Sequence, residues 1–511
     1  MKFTVETIVF IIYLLFMLGI GVFFFFKDKN GSEKSYFLGG RQMGPWVSAL
    51  SAGASDMSAW VLMGLPASIY LYGIGQAWIA IGLAIGYAIS WIIEAPRLRK
   101  FTITCNDSIT LPQYLTNRFL SKSSAVRVIC AIIFLVAYTV YAASSMKACG
   151  TLFNTVLGID PVKAMYLAAG VILVYTFLGG FKAVCWTDFF QGMLMLAALL
   201  AAPIFALFVM KNGGSAETTA QLPEGYWNAF NNWKDIASGL GWGLGYFGMP
   251  HIIVRYMSLE SDKAVKKSAK IGITWNVFIV IFSVAAGCVG HLLLGEIEDS
   301  STVFIQMARF LFPAIIAGVV LTAILAASMS TADSQLLASS SAFASDLYKP
   351  IIRKNKASDK EMLWAGRFIV LVISVVAVLI ASNPNSGTIM GLVENAWGLF
   401  GAAFSSVILL SLFWKRFNIG GAIAGIIAGT VVDIAWLMMF NYSFADGSRL
   451  GELFAPLHNS VFGGLYEIIP GFIVSMAAAV IVTLITKAPS GEIEELFDKA
   501  VAYKDTAEAV K

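Results

Sequence analysis

Residues 51–60 read SAGASDMSAW, which sets one carboxylate, Asp56, among small and apolar residues. The flanking stretches GPWVSAL and VLMGLPASIYLYGIG extend that pattern to the length of a bilayer crossing, so Asp56 falls near the middle of a span. A carboxylate at that depth costs about 3 kcal/mol or more, and such residues line a cavity, a pairing site or an ion path. A second stretch, GVVLTAILAASMSTADSQLLASSSAFASDLY, combines Asp333 with Ser328, Ser330, Thr331 and Ser334. Ser330 and Ser334 are four residues apart, as are Ala327 and Thr331, so each pair shares a helical face. Three chemistries suit these groups. A hard monovalent cation takes oxygen ligands, which Ser55 to Ser58 and Ala327 to Thr331 offer as carbonyls, hydroxyls and a carboxylate. A proton carrier needs a carboxylate that titrates, and Asp56, Asp188 and Asp333 qualify. A structural ion pair needs a base such as Arg41 or Lys147. Residue type alone leaves all three open, and membrane-helix hydroxyls also commonly bond back to their own i−4 carbonyl.

The elements that must position these groups are membrane helices. Of 511 residues, 58% are hydrophobic and 13% charged, with a mean hydropathy of +0.76. A soluble domain carries about 25% charged residues, so the chain is expected to be a polytopic membrane protein. Five cysteines are scattered without a C-x-x-C spacing and read as buried thiols. Only three histidines occur, which argues against a histidine-ligated metal or a histidine relay. Nothing indicates nucleic-acid binding, a nucleotide loop of the G-x-x-x-x-G-K-[ST] type, an enzyme or a cofactor. The first apolar segment is too long for a signal-peptide core, and KDKNGSEK rather than a cleavage site follows it.

At roughly twenty apolar residues per helix, the sequence predicts thirteen spans: 5–26, 46–73, 75–95, 126–155, 164–181, 186–210, 237–257, 271–294, 312–345, 362–382, 388–412, 418–440 and 461–485. One set of connecting loops holds KDKNGSEK, Arg41, PRLRK, RYMSLESDKAVKKSAK, YKPIIRKNKASDK and WKR, while the opposite set is poor in bases. The positive-inside rule puts the first set in the cytoplasm. The N-terminus is then outside the cell (plasma, or inner, membrane) and the tail, 486–511, is cytoplasmic and reads as a short solvated helix.

Two spans contain what an ordinary membrane helix avoids. The second is dense in small residues around Asp56. The seventh, ASGLGWGLGYFGMPHIIVRY, carries Gly239, Gly241, Gly243, Gly245 and Gly248 and then Pro250. Irregular backbone in a membrane is tolerated only where it faces protein or a water-filled cavity, and transporters use such breaks to bind ions and solutes near the midplane. The second span opens a set of five (46–210) and the seventh another (237–412). Five is odd, so the sets run in opposite directions, an inverted repeat. Residues 1–45 precede it as one helix and a cytoplasmic loop, and 413–485 add two helices.

LGGRQMGPWVSALSAGASDMSAW, YTFLGGFKAVCWTD, GWGLGYFGMPH, ILAASMSTADSQLL, LYEIIPGF and TKAPS occur in that order. On these motifs, from Tyr36 to about Pro489, the chain resembles the sodium/solute symporter family, and within it the sodium/proline symporters. The resemblance implies an all-α fold of the leucine-transporter type and sodium-coupled import of L-proline by alternating access, with no cofactor and no obligate protein partner. Carried over motif by motif, it implies sodium ligands at Ala54 and Met57 (backbone carbonyls), Ala327, Ser330 and Thr331. Asp56 and Ser58 match positions needed for sodium and substrate affinity, Asp188 an acid near the sodium path, and Arg41 an arginine tied to coupling. Trp60, Tyr141, Trp242, Tyr246 and Pro250 match the substrate pocket. The chain departs from that pattern at Ala59, which stands for a glycine, at Asp333, which stands for a small polar residue, and at Lys147, a base at unusual depth. The rival readings are a sodium- or proton-coupled symporter of another small solute (pantothenate, a monocarboxylate, another osmolyte), a transporter-like sensor, and a channel.

Overall fold

The computed structural model describes residues 4–27, 32–214, 222–442 and 448–505. The expected loop residues 28–31 and the end of the tail, 506–511, lie outside them. Among the described residues the chain is helical, and its sole β-type contact is one parallel bridge between Met43 and Leu259.

Among the described residues, ten helices are long and apolar enough to cross a membrane. They are α1 (Val5–Lys27), α4 (Ile74–Thr104), α5 (Ala125–Leu157), the Gly180–Lys211 part of α6, α9 (Asp262–Leu294), α10 (Ala314–Ile352), α11 (Asp359–Ser382), α12 (Ile389–Phe413), α13 (Ile419–Asn441) and α14 (Ile468–Ile485). They coincide with ten of the expected spans. The other three, 46–73, 164–181 and 237–257, are interrupted or short. The first is α2 (Pro45–Asp56), a 3-10 turn (Ala59–Val61) and α3 (Gly64–Tyr72). The last is α7 (Trp233–Trp242), a 3-10 stretch (Gly243–Phe247) and α8 (Pro250–Ser258). The middle one is the first half of α6 (Pro161–Lys211), which kinks at Gly180 (φ 60°, ψ −172°). That backbone excludes a side chain, and a Cβ there would lie 2.8 Å from the Tyr36 ring.

The breaks have local causes. Pro45 starts α2 at a position where its missing N–H costs nothing. At Met57 (φ −78°, ψ 76°) the chain leaves the helix, and Ser58 Oγ accepts from Trp60 N at 3.3 Å to start the next turn. Pro250 likewise opens α8. The glycines of the seventh span lie at the expected interruption without a positive φ, and they serve close helix approach as well. A Cβ on Gly239 would sit 2.4 Å from Trp78 C, and one on Gly243 2.4 Å from Gly82 O. In return, Cβ atoms on Gly82 and Gly86 would strike Gly239 O and Gly243 O at 2.0 and 2.2 Å. These glycines let α4 and α7 touch backbone to backbone.

Several expected boundaries shift. The bases of PRLRK are helical rather than in a loop, because α4 runs on through a π-type stretch (Ser90–Glu94) to Thr104. YKPII likewise belongs to the π-type end of α10. The tail forms the expected helix, α15 (Gly491–Ala502), largely exposed, but one face docks: Phe497 and Ala500 are buried, and Phe101 and Phe497 meet edge to face at 5.2 Å. Arg99, expected in a loop, is buried and bonds Asp262 and Asp505 at 2.9 and 3.0 Å.

Candidate functional site

The C-terminal end of α2, the seventh-span break and α5 meet at Asp56. Its carboxylate is fully buried, and Oδ2 accepts from the Tyr246 hydroxyl at 2.5 Å. Its carbonyl accepts from Trp60 Nε1 and from the Tyr141 hydroxyl, each at 3.2 Å. Neither expected base reaches it. Lys147 donates to Ser386 Oγ (3.2 Å) and to Gly387 O. Arg41 donates to Asp107 Oδ1 (2.8 Å), Met257 O (2.6 Å) and Ser108 O (2.8 Å). Burial pulls the Arg41 pKa down from its ordinary value, and the Asp107 carboxylate opposes that pull. The ion-pair reading of Asp56 with Arg41 or Lys147 is therefore corrected. Lys147 snorkels to a loop, and Arg41 knits the loop before α2 to the ends of α4 and α8.

Two residues before Asp56, Ala54 O accepts from Ser330 Oγ at 2.8 Å and from Thr331 Oγ1 at 3.4 Å. Ser330 Oγ also lies 3.2 Å from Ala327 O. Four of the five oxygen-bearing positions expected to share a cation are thus in one contact set between α2 and α10. Met57, the fifth, is buried at the break with its N–H on Gly53 O (2.8 Å). Ser58 is spent on capping.

Asp188 lies in a different network. Its Oδ2 accepts from Ser51 Oγ (2.7 Å) and from Arg255 Nη2 (3.1 Å). Arg255 also donates to Ser334 Oγ (2.6 Å), Ser51 Oγ (3.0 Å) and His251 O (2.6 Å), and Ser334 Oγ donates to Asp333 Oδ1 at 3.2 Å. Both charges are buried. This network ties α2, α6, α8 and α10 together one turn below the Ala54 contacts. Sequence reading missed Arg255, taking it as the first base of a cytoplasmic loop. The available signal was its position five residues past Pro250, inside an apolar run.

The aromatic residues form a wall across the two breaks. Trp60 and Trp242 are 6.3 Å apart between ring centres, Trp242 and Tyr466 5.1 Å, and Tyr246 and Trp397 5.0 Å. Trp397 Nε1 donates to Trp242 O at 2.8 Å, and a Cβ on Gly245 would lie 2.1 Å from that nitrogen. Trp242 borders a cavity of about 600 Å³ that also meets Lys147, Asp235 and Glu394. Pro250 is placed elsewhere, beside Arg255 on a cavity of only about 40 Å³. The structure thus gathers Trp60, Tyr141 and Tyr246 on Asp56, sets Trp242 against Trp60, and leaves Pro250 apart. Trp397 and Tyr466, neither of them among the expected site residues, complete the wall.

Interrupted helices that meet at a buried carboxylate, with an aromatic wall whose Trp242 borders a cavity of about 600 Å³, are the arrangement of a secondary transporter of the membrane. The comparisons with known proteins specify which kind. The model of the sodium:solute symporter family matches residues 36–429, and the chain belongs to this family. The high-affinity proline transporter PutP of Bacillus subtilis (strain 168) is 42% identical over 499 residues, covering 96% of this chain and 99% of that protein. The sodium/proline symporter of Staphylococcus aureus (strain JH9) is 41% identical over 496 residues, covering 96% and 94%. Among solved structures, a Na+-coupled sialic acid symporter in a substrate-bound outward-open state shares the fold at a TM-score of 0.75 and 21% identity, covering 95% of this chain and 99% of that one. Mhp1, a nucleobase-cation-symport-1 family transporter, shares it at 0.53 and 14%, covering 92% and 99%. The fold is that of leucine-transporter-type proteins.

Proposed function

We propose that the chain is a sodium-coupled symporter that imports L-proline by alternating access. The observation that carries this reading is the 42% identity sustained across 99% of a proline transporter's length. The site geometry suits it. A small zwitterion with an apolar ring needs aromatic walls and a few placed polar groups, which Trp60, Tyr141, Trp242 and Tyr246 supply around Asp56.

Sodium binds at Ala54 O, Met57 O, Ala327 O and the hydroxyls of Ser330 and Thr331. Those hydroxyls now aim their protons at Ala54 O. On binding, the protons turn away and the oxygens face the ion, which pins α10 to the end of α2. That fixes the break and hence Asp56, Ser58 and the Trp60 wall, so sodium prepares the substrate pocket. Asp188, with Arg255, holds the floor beneath this site, and Arg41 links it to the loop before α2. Pro250 acts as the starter of α8 rather than as a contact.

Thirteen spans with repeats at 46–210 and 237–412 complete the picture, with the N-terminus outside and the tail in the cytoplasm. On that orientation the cavity of about 600 Å³ faces outward and the Pro250 side is closed. A membrane potential then adds about 2.3 kcal/mol per charge per 100 mV to drive sodium inward. The test is uptake of labelled L-proline into proteoliposomes under an inward sodium gradient, then under a proton gradient alone, each repeated with Asp56→Asn. Sodium-driven accumulation that collapses in the variant is the expected result. Accumulation on protons alone overturns the ion, and no accumulation from folded protein overturns the substrate.

A further inference from the structure

A groove of about 680 Å³ lies between α1 and the second half of α6. Phe16 and Phe23 of α1 and Trp186 and Phe190 of α6 line it, and all four are exposed. Phe16 and Phe190 meet edge to face at 5.3 Å at one end. Gly19 also lines the groove, and a Cβ there would meet nothing within 4 Å. In water so large an apolar face would call for a cover; in a membrane any acyl chain supplies one. The other end of the groove asks for more. Of the described residues that line it, two are charged, and both are positive. Lys27 ends α1, and Lys182 stands two residues past the kink at Gly180. Lys27 Nζ is 5.5 and 5.8 Å from the ring centres of Phe23 and Phe24, so its stem lies along the apolar wall with the ammonium at the rim.

The dimensions match one leaflet. Phe16 precedes Lys27 by eleven residues, about 16 Å of helix rise, and half of a hydrocarbon core is about 15 Å deep. The groove is therefore apolar over the depth of an acyl chain and doubly basic where a head group sits. We propose that it binds a phospholipid with an anionic head group, phosphatidylglycerol being the simplest, with the phosphate at Lys27 and Lys182. One acyl chain runs along Phe23, Gly19 and Phe16. Basic pockets between membrane helices on the cytoplasmic side recognise anionic head groups, and the orientation proposed above turns these lysines to the cytoplasm. Which leaflet supplies the lipid rests on that orientation; the binding does not. A choline head group would instead set a third positive charge beside the two lysines. The site also adjoins the start of α2. Gln42, Met43 and Gly44 line its basic end, Met43 N donates to Ser258 O at 3.1 Å, and α2 begins at Pro45. A bound head group thus steadies the junction from which α2 runs to Ala54 and Asp56.

Native mass spectrometry of the purified full chain tests this, with dioleoyl phosphatidylglycerol or dioleoyl phosphatidylcholine titrated in detergent. Wild-type protein should retain the phosphatidylglycerol preferentially. Lys27→Gln and Lys182→Gln should each weaken that retention about fivefold, the worth of one lysine at a membrane surface. Lys354→Gln with Lys356→Gln removes the same charge from an exposed stretch after α10 and should change nothing. Gly19→Phe keeps both lysines, fills the groove and should also lower retention. Thermal unfolding should show stabilisation by phosphatidylglycerol and none by glycerol 3-phosphate. Equal retention of the two lipids by wild type overturns the proposal. So does a loss in the Lys354 and Lys356 variant as large as at the groove, or stabilisation by glycerol 3-phosphate alone. A wild-type dimer that Gly19→Phe abolishes gives the groove to a second copy of the chain and overturns it too.

Discussion

Removing one partner of the Asp188–Arg255 pair should damage the protein more than removing both. The charges are 3.1 Å apart and both residues are essentially out of contact with solvent. At an effective dielectric constant of ~20 their attraction is about 5 kcal/mol. Asp188→Asn leaves the guanidinium with Ser51, Ser334 and His251 O but without its bonded carboxylate. Arg255→Gln leaves the carboxylate with Ser51 Oγ as its remaining partner. Each single substitution should cost about 3–5 kcal/mol, the usual penalty for an orphaned buried charge. The double variant places two neutral amides side by side with no buried charge left, so its coupling should exceed the smaller single loss, about 3 kcal/mol or more. The assay is thermal unfolding of the four proteins in one detergent, with sodium-driven proline uptake measured in parallel. The double variant should unfold at a higher temperature than the worse single one. If its loss equals the sum of the two single losses, the residues act independently and the argument for a coupled buried pair fails.

Three more expectations follow from the geometry. Ser330→Ala and Thr331→Ala should each raise the sodium concentration for half-maximal uptake by about tenfold, or ~1.4 kcal/mol, at saturating proline; unchanged sodium curves would remove these hydroxyls from the site. Gly82→Ala should part α4 from α7, because its Cβ would lie 2.0 Å from Gly239 O, and should lower the unfolding temperature. Gly19→Ala, with open space around it, should be neutral or stabilising by up to about 1 kcal/mol, and equal behaviour of the two would refute the close-approach argument. Asp505→Ala removes the carboxylate that accepts from Arg99 Nη1 (3.0 Å) and Asp262 N (2.6 Å). It should make the α15 tail a ready target for limited proteolysis, and tail cleavage no faster than in wild type would sink the docking.

Periodicity and composition made the ten long helices legible, because roughly twenty apolar residues in a row have few alternatives to spanning a bilayer. They also located both interruptions, at Asp56 and at the glycine-rich seventh segment. Helix ends were less legible. Arg99 and Arg255 looked like loop charges because charge in a membrane protein defaults to the aqueous side. Each has its partner far away in sequence, at Asp505 and Asp188, and no local pattern announces such a pair. The tail helix was read as solvated for the same reason, since Phe497 is a lone aromatic until Phe101 is known to lie against it.

By itself the sequence determined that the chain is a membrane protein, that two of its spans are broken, and which oxygen-bearing residues a cation would want. Those properties are local: they follow from hydropathy over one helix length and from residue types four apart. What the tertiary structure decided is who meets whom. It set Ser330 and Thr331 on Ala54 and Tyr246 on Asp56, denied Asp56 both expected bases, and gave Asp188 to Arg255. Such pairings depend on how separate helices pack, and packing is fixed by side-chain fit and backbone approach across hundreds of residues, as at Gly82 and Gly239.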